Sequence, residues 1–103
     1  RESEANSSGW RGTDQGTQMK TTYGWYDGGN GTNSSGFSGL PGGWRNNTGG
    51  YFGQAGSSGL WWSSSPSGSL AWIRSLYYSY ESVSRYDNYL RVGFSVRCVR
   101  DAE

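Results

Sequence analysis

The sequence predicts an α+β domain that is mostly β-strand and loop. Three observations carry this. Eighteen of the 103 residues are glycine, with serine and asparagine abundant, a composition suited to short strands joined by many turns. Only 32% of residues are apolar, and more than half of these are Trp, Tyr and Phe, so a small core would be built from a few large rings. From Leu70 to Tyr80, finally, heavier and lighter side chains alternate, which is the period of a strand.

The elements follow in order. Residues 1–18 are polar, with Trp10 the only large apolar side chain, and suit a short helix or a loop. Met19 to Trp25 (MKTTYGW) is rich in β-formers and reads as a short strand. Asp27 to Gly36 (DGGNGTNSSG) is a turn-rich loop. Phe37 and Leu40 anchor the next stretch, and Pro41-Gly42 forces a turn. Asn46 to Gly50 (NNTGG) is a hairpin-like turn ahead of Tyr51 and Phe52, and Gln54 to Gly59 is a further loop. Leu60-Trp61-Trp62 opens the last region, followed by a loop, Ser63 to Ser69.

Leu70 to Tyr80 is then the clearest strand. Its even positions are Leu70, Trp72, Arg74, Leu76, Tyr78 and Tyr80; its odd positions are Ala71, Ile73, Ser75, Tyr77 and Ser79. The heavier even set is expected on the core and the odd set in solvent. Arg74 breaks that rule and is either paired beneath the sheet or extends its head to water along an apolar stem. A turn near Glu81-Ser82 leads to a partner strand, Val83 to Tyr86, then a polar loop, Asp87 to Arg91. Gly93 to Arg100 reads as the last strand, with Phe94, Val96 and Cys98 on one face and Ser95, Arg97 and Val99 on the other. The length fits a single small domain over 1–103, with a β-rich display region over 61–101.

The same composition excludes several functions. Net charge is +1, without a basic run, which argues against nucleic acid as a partner. No window of about 18 apolar residues exists to span a membrane. There is no histidine, and Asp14, Asp27, Glu81, Asp87 and Asp101 are scattered. A serine hydrolase would lack its base, a glycosidase its facing carboxyls, and zinc its ligands. No catalytic residue, metal site or cofactor is assigned, and the chain is not expected to be an enzyme. Asp27 to Asn33 (DGGNGTN) holds closely spaced oxygen ligands and reads as a plain turn or as a calcium loop. The single cysteine, Cys98, is either a small buried hydrophobe or half of a disulfide with a partner outside this chain.

The strongest functional signal is Tyr77, Tyr78, Tyr80, Tyr86 and Tyr89, interleaved with Ser75, Ser79, Ser82 and Ser84. A core uses few tyrosines, because each buried hydroxyl needs a partner. Tyr with Ser and Asn is the composition of binding surfaces, which combine rigid amphipathic area with adaptable hydrogen bonding. Exposed aromatic platforms also stack on sugar faces. The plainer alternative is a two-faced hairpin with exposed tyrosines.

Five blocks carry a family resemblance: GFSGLPGGWRN, LWWSSSPSGS, AWIRSLYY, VSR and GFSVRCVRD, in this order between Gly36 and Asp101. GTDQGTQMKTTYGW, Gly12 to Trp25, fits the segment before them. In these blocks the chain resembles the Fibrobacter succinogenes major paralogous domain, which occurs in secreted and surface proteins of bacteria of the Fibrobacter and Bacteroidetes type. The resemblance implies a C-type-lectin-like fold related to the formylglycine-generating enzyme and sulfatase-modifying group. It also implies an upstream block of the CPSGWH type and a helix, neither present here. The chain therefore reads as the C-terminal part of that fold. With Arg1 at its head, it looks like an excised piece, and targeting signals, such as a secretion or lipoprotein signal, are expected upstream. The family partner of Cys98 would be the cysteine of that upstream block.

The enzymes of the related group use a cysteine pair and a metal, so with Cys98 alone that activity does not carry over. Calcium-lectin motifs of the EPN and WND kind are also absent. AWIRSLYY contains the family frame Ala71, Trp72, Arg74, Leu76 and Tyr78, with other residues between. This division into frame and display positions is similar to the variable surface of retroelement-diversified proteins, which share C-type-lectin-like folds.

The expectation is a non-catalytic extracellular or outer-membrane-attached module for adhesion or recognition. Its partner would be a protein or glycan on a cell surface. The ligand would contact Ile73, Ser75, Tyr77, Ser79, Ser84, Tyr86, Asp87 and Tyr89, with Trp61 or Trp62 at the edge. The frame would be Trp62, Trp72, Arg74, Leu76, Phe94 and Cys98. The alternative is a structural subunit of a larger surface assembly or outer-membrane complex, with a carbohydrate-active enzyme third.

Overall fold

A computed structural model describes residues 8–46, 49–90 and 92–98. It is mostly β with little helix. A four-stranded antiparallel sheet has the order β1-β6-β5-β4. Its strands are β1 (Gly9–Arg11), β4 (Ser58–Ser67), β5 (Leu70–Tyr77) and β6 (Val83–Asn88). A small second sheet pairs β2 (Trp44–Arg45) with β3 (Phe52–Gly53). One short helix, α1 (Gln15–Met19), follows β1.

Three adjacent strands form the body of the large sheet. β4 and β5 are joined by a turn at Gly68-Ser69, and β5 and β6 by the 78–82 turn. The loop expected over Ser63 to Ser69 is instead largely strand, since β4 runs to Ser67. A proline lacks the N–H that a ladder requires, so it is tolerated at edges and bulges. β4 is an edge strand, and its register with β5 shifts between Trp62 and Pro66.

The expected strand over Met19 to Trp25 does not form. Lys20 makes one isolated bridge to Gly39, after which the chain turns. Lys20 is buried, and its ammonium donates to the carbonyl oxygens of Tyr80 (2.8 Å) and Tyr78 (3.4 Å). Burial lowers its pKa, and the nearby Glu81 carboxylate opposes that shift. The ammonium also lies 5.1 Å from the centroid of a Trp25 ring. A single side chain thus ties the N-terminal half to the β5–β6 turn. Gly16 reinforces the tie. A Cβ there would run into the Ser82 and Glu81 carbonyls, so only glycine lets α1 sit this close.

The expected last strand, Gly93 to Arg100, is replaced by two isolated bridges. Gly93 pairs with Arg45 of β2, and Ser95 with Trp61 of β4. Its hydrogen bonds therefore go to two different sheets: Arg45 and Gly93 exchange two bonds of 2.8 Å, and Ser95 N–H donates to Leu60 O at 3.0 Å. The segment joins the sheets rather than extending one of them. Val96 is exposed, and Cys98 is exposed and free rather than buried in the frame. Among the described residues, Val96, Arg97 and Cys98 are all exposed, so the expected two faces are not distinguished there. Val99, Arg100 and Asp101, like residues 1–7, Asn47, Thr48 and Arg91, lie outside the described residues.

Both faces of β5 are covered. On the even face Leu76 packs with Trp25 and Trp61, and Met19, Phe37, Tyr78 and Val83 close around them. On the odd face Ile73 is 0% exposed, and Ser75 is also buried. The odd face was expected in solvent. It is covered because its cross-strand neighbours Leu60 and Trp62 lie beneath the small sheet and the 93–95 segment. The Trp62 and Phe94 rings meet edge-on at 4.8 Å.

Candidate ligand-binding cleft

The register of the large sheet decides which side chains meet. Ile73 lies opposite Tyr86 and Ser75 opposite Ser84 on β6, while Ser75 lies opposite Leu60 on β4. On β1, Trp10 pairs with Ser84. Directly paired residues point to one face. Tyr77, Ser75, Ser84, Tyr86, Leu60 and Trp10 therefore converge on one side of the sheet. There they line a cavity of about 430 Å³, to which Trp44 and Gln54 also contribute.

A second cavity, of about 280 Å³, adjoins it and shares Trp44, Leu60 and Tyr86; Asn46, Asn88, Tyr89, Val92 and Phe94 complete it. The two are neighbouring hollows on one cleft face, with Tyr86, Trp44 and Leu60 as their common wall. Among the described residues, none of those lining either cavity carries a charge.

The floor is polar but internally satisfied. Ser58, Ser75 and Ser84 are buried. Among the described residues no buried side-chain nitrogen or oxygen lacks a partner. Ser75 is hydrogen-bonded to Tyr86, and burial raises the Tyr86 phenol while that bond partly offsets the rise. The Ser58 hydroxyl donates to Gln54 Oε1 at 2.6 Å, and Tyr89 N–H donates to Asn88 Oδ1 at 2.8 Å. In both amides the oxygen is engaged, so the NH₂ group defines what each offers as a donor. Gln54 has φ of 60°, a left-handed conformation that is uncommon for a residue with a side chain.

One wall of the cleft is backed by a run of rings. Trp10 meets Tyr80 edge-on at 4.5 Å, Tyr80 meets Tyr77 at 5.5 Å, Tyr77 meets Tyr78 at 4.8 Å, and Tyr78 meets Tyr26 at 5.4 Å. All but the tilted Tyr77–Tyr78 pair are edge-to-face, a geometry that favours defined ring attitudes.

The sequence-derived contact set is thus divided. Ser75, Tyr77, Ser84 and Tyr86 come together in the larger cavity and Tyr89 in the smaller. The two serines are floor rather than display, with Ser84 only 3% exposed. Ile73 is core. Ser79 is exposed in the turn beyond β5. Asp87 alternates with Tyr86 and so points to the opposite face, where it accepts a 3.0 Å hydrogen bond from the Ser67 hydroxyl. Trp61, expected at the edge of the surface, is core.

Of the expected frame, Leu76 is buried and Trp62 and Phe94 are half-buried in contact. Trp72 is half-buried with the Arg85 guanidinium 3.7 Å from its ring centroid. Arg74 is half-buried, and burial with the neighbouring Arg85 charge lowers its pKa.

Sequence reasoning missed Trp10, Trp44, Gln54 and Asn88. The available signals were a lone large ring in a polar stretch and a Trp placed directly after Gly42-Gly43.

The Asp27 to Asn33 loop uses its amide oxygens internally. Asn30 Oδ1 accepts from Trp25 N–H at 2.9 Å and Asn33 Oδ1 from Ser38 N–H at 2.8 Å. This is turn chemistry. Among the described residues no group of three or more His, Cys, Asp or Glu side chains gathers to hold a metal ion, and no helix is long and apolar enough to cross a membrane.

No curated protein and no solved structure matches this chain. A family model described as the Fibrobacter succinogenes major domain matches residues 1–100, and the chain therefore belongs to that family.

Proposed function

We propose that this chain is a non-catalytic binding module of the bacterial cell surface, C-type-lectin-like in fold, and that its ligand enters the cleft between the β5–β6 face and Trp44. One observation carries the reading: Ser75, Tyr77, Ser84 and Tyr86, from the tyrosine–serine tract, line one cavity. Rigid rings around a satisfied polar floor make a preformed site, which saves the entropy of ordering side chains on binding. The surface location rests on family membership, and the lectin-like fold on the pairing of a large antiparallel sheet with a small one.

The test is replacement of Tyr77, Tyr86 and Tyr89 by Ala together, with the variant and parent compared for capture of fractionated cell-surface glycans and proteins. Loss of capture with an unchanged circular-dichroism spectrum supports the site. Undiminished capture overturns it.

A second reading, a subunit of a larger surface assembly, is favoured by the tip of the small sheet, where Phe52 is 83% exposed beside exposed Tyr51. Cross-linking the native protein on intact cells separates the two readings: a stoichiometric protein neighbour bound through Tyr51 and Phe52 favours the subunit.

A further inference from the structure

We infer that the cleft takes an uncharged oligosaccharide. This inference rests on the cleft being the binding site, and it names the ligand class from the lining.

The first ground is electrostatic. A ligand carrying phosphate, sulfate, carboxylate or ammonium would lose part of its hydration against this lining, and a desolvated charge is costly without a partner. None of the described lining residues offers a counter-charge.

The second ground is the kind of lining. Trp10, Trp44, Tyr77, Tyr86, Tyr89 and Phe94 surround the cleft. The face of an aromatic ring is the negative pole of its quadrupole. The axial C–H groups on one side of a pyranose are weakly positive and apolar, so they lie well on such a face. The ring's hydroxyls project around its rim and need neutral donors and acceptors. Gln54 and Asn88 supply amide NH₂ groups, and Tyr77, Tyr86 and Tyr89 supply phenols.

The third ground is shape. The larger cavity lies within the roughly 300–1,000 Å³ of small-ligand sites, and the smaller lies beside it across Tyr86 and Trp44. Two adjacent compartments with a common wall suit a short chain of similar units.

A peptide fits less well. Extended peptides are commonly bound by adding a strand to an open sheet edge. The cleft lies over a sheet face, and the β4 edge is engaged by Ser95 and Gly43.

The experiment is titration of the 103-residue chain with hexasaccharides of glucose, mannose, galactose and xylose. Uronic-acid and sulfated oligosaccharides of similar length, and a set of surface-protein peptides, are run in parallel. Tryptophan fluorescence is the readout, with Trp10 and Trp44 as reporters. At least one neutral hexasaccharide should bind, with an affinity unchanged between about 0.05 and 0.5 M salt. Tyr86→Ala and, separately, Gln54→Gly should each weaken it at least about tenfold. Gln54→Gly relaxes the left-handed backbone, which offsets the lost acceptor for the buried Ser58 hydroxyl, and an unchanged circular-dichroism spectrum checks that this variant folds even if Tyr86→Ala does not.

If no neutral oligosaccharide binds, or a charged one binds better with steep salt dependence, the carbohydrate inference falls. If a peptide binds instead and both variants abolish it, the cleft stands and only the ligand class is wrong. If a neutral oligosaccharide binds and both variants leave it unaffected, the cleft reading itself is overturned.

Discussion

Ser75 and Tyr86 are hydrogen-bonded across β5 and β6, at the point where the two halves of the cleft meet. The bond sets the attitude of the phenol over a floor that is otherwise closed. Tyr86→Phe removes it and strands the Ser75 hydroxyl in a buried place. A loss of about 1 kcal/mol of stability is expected from denaturant unfolding.

The same residue gives a pH dependence. The folded-state pKa of Tyr86 is raised, chiefly by burial. The folded form therefore holds the phenolic proton more tightly than the unfolded chain. This contribution is fully present below the unfolded value near pH 10 and is lost as pH rises through the folded value. Unfolding midpoints measured from pH 8 to 11 should fall more steeply above pH 10 for the parent than for Tyr86→Phe.

Ile73 and Ser79 are both odd positions of the tyrosine–serine tract, but they have different fates. Ile73→Ala empties a fully buried site and should cost roughly 2–4 kcal/mol. Ser79 is exposed in a turn, and Ser79→Ala should stay within about 0.5 kcal/mol. Equal effects would contradict the burial of the odd face.

Gly43 has φ of 69°, and a Cβ there would collide with the Gly53 carbonyl oxygen. It also donates to Ser58 O at 2.7 Å, fixing where Trp44 begins. Gly43→Ala should destabilise by about 2 kcal/mol or more, and any folded fraction should show an altered tryptophan emission as Trp44 shifts.

Cys98 is exposed. Under reducing conditions followed by removal of reductant, the native chain should react with a thiol reagent to one equivalent, without denaturant. Protection of the thiol until unfolding would restore it to the core.

The β5–β6 hairpin was legible because its signal is local. Alternation marked the strand, and polar residues near Glu81-Ser82 marked the turn. The β2–β3 pairing was foreshadowed by the turn-rich Asn46 to Gly50 followed by aromatic residues. What alternation cannot say is which face another layer covers. Trp10 reaches Ser84, and Trp44 reaches Leu60 and Tyr86, only through contacts distant in sequence. Sequence reasoning therefore took the odd face for open surface, whereas it forms the bottom of a cleft. Cys98 failed for the opposite reason. A short alternating run predicts two faces but supplies no neighbour to bury either of them.

The bridging segment at Gly93 and Ser95 has a consequence for synthesis. During translation, β2, β3 and β4 emerge well before the residues that lock the small sheet onto the large one. Until Gly93 and Ser95 clear the ribosome, Trp44 lacks the clasp that holds it over the odd face of β5. β1, earlier in the chain than the other strands described, likewise waits for β6. Contacts this far apart along the chain make folding slow. The cleft is therefore one of the last features to appear, and a chain cut short before Gly93 would leave the aromatic lining without its clasp.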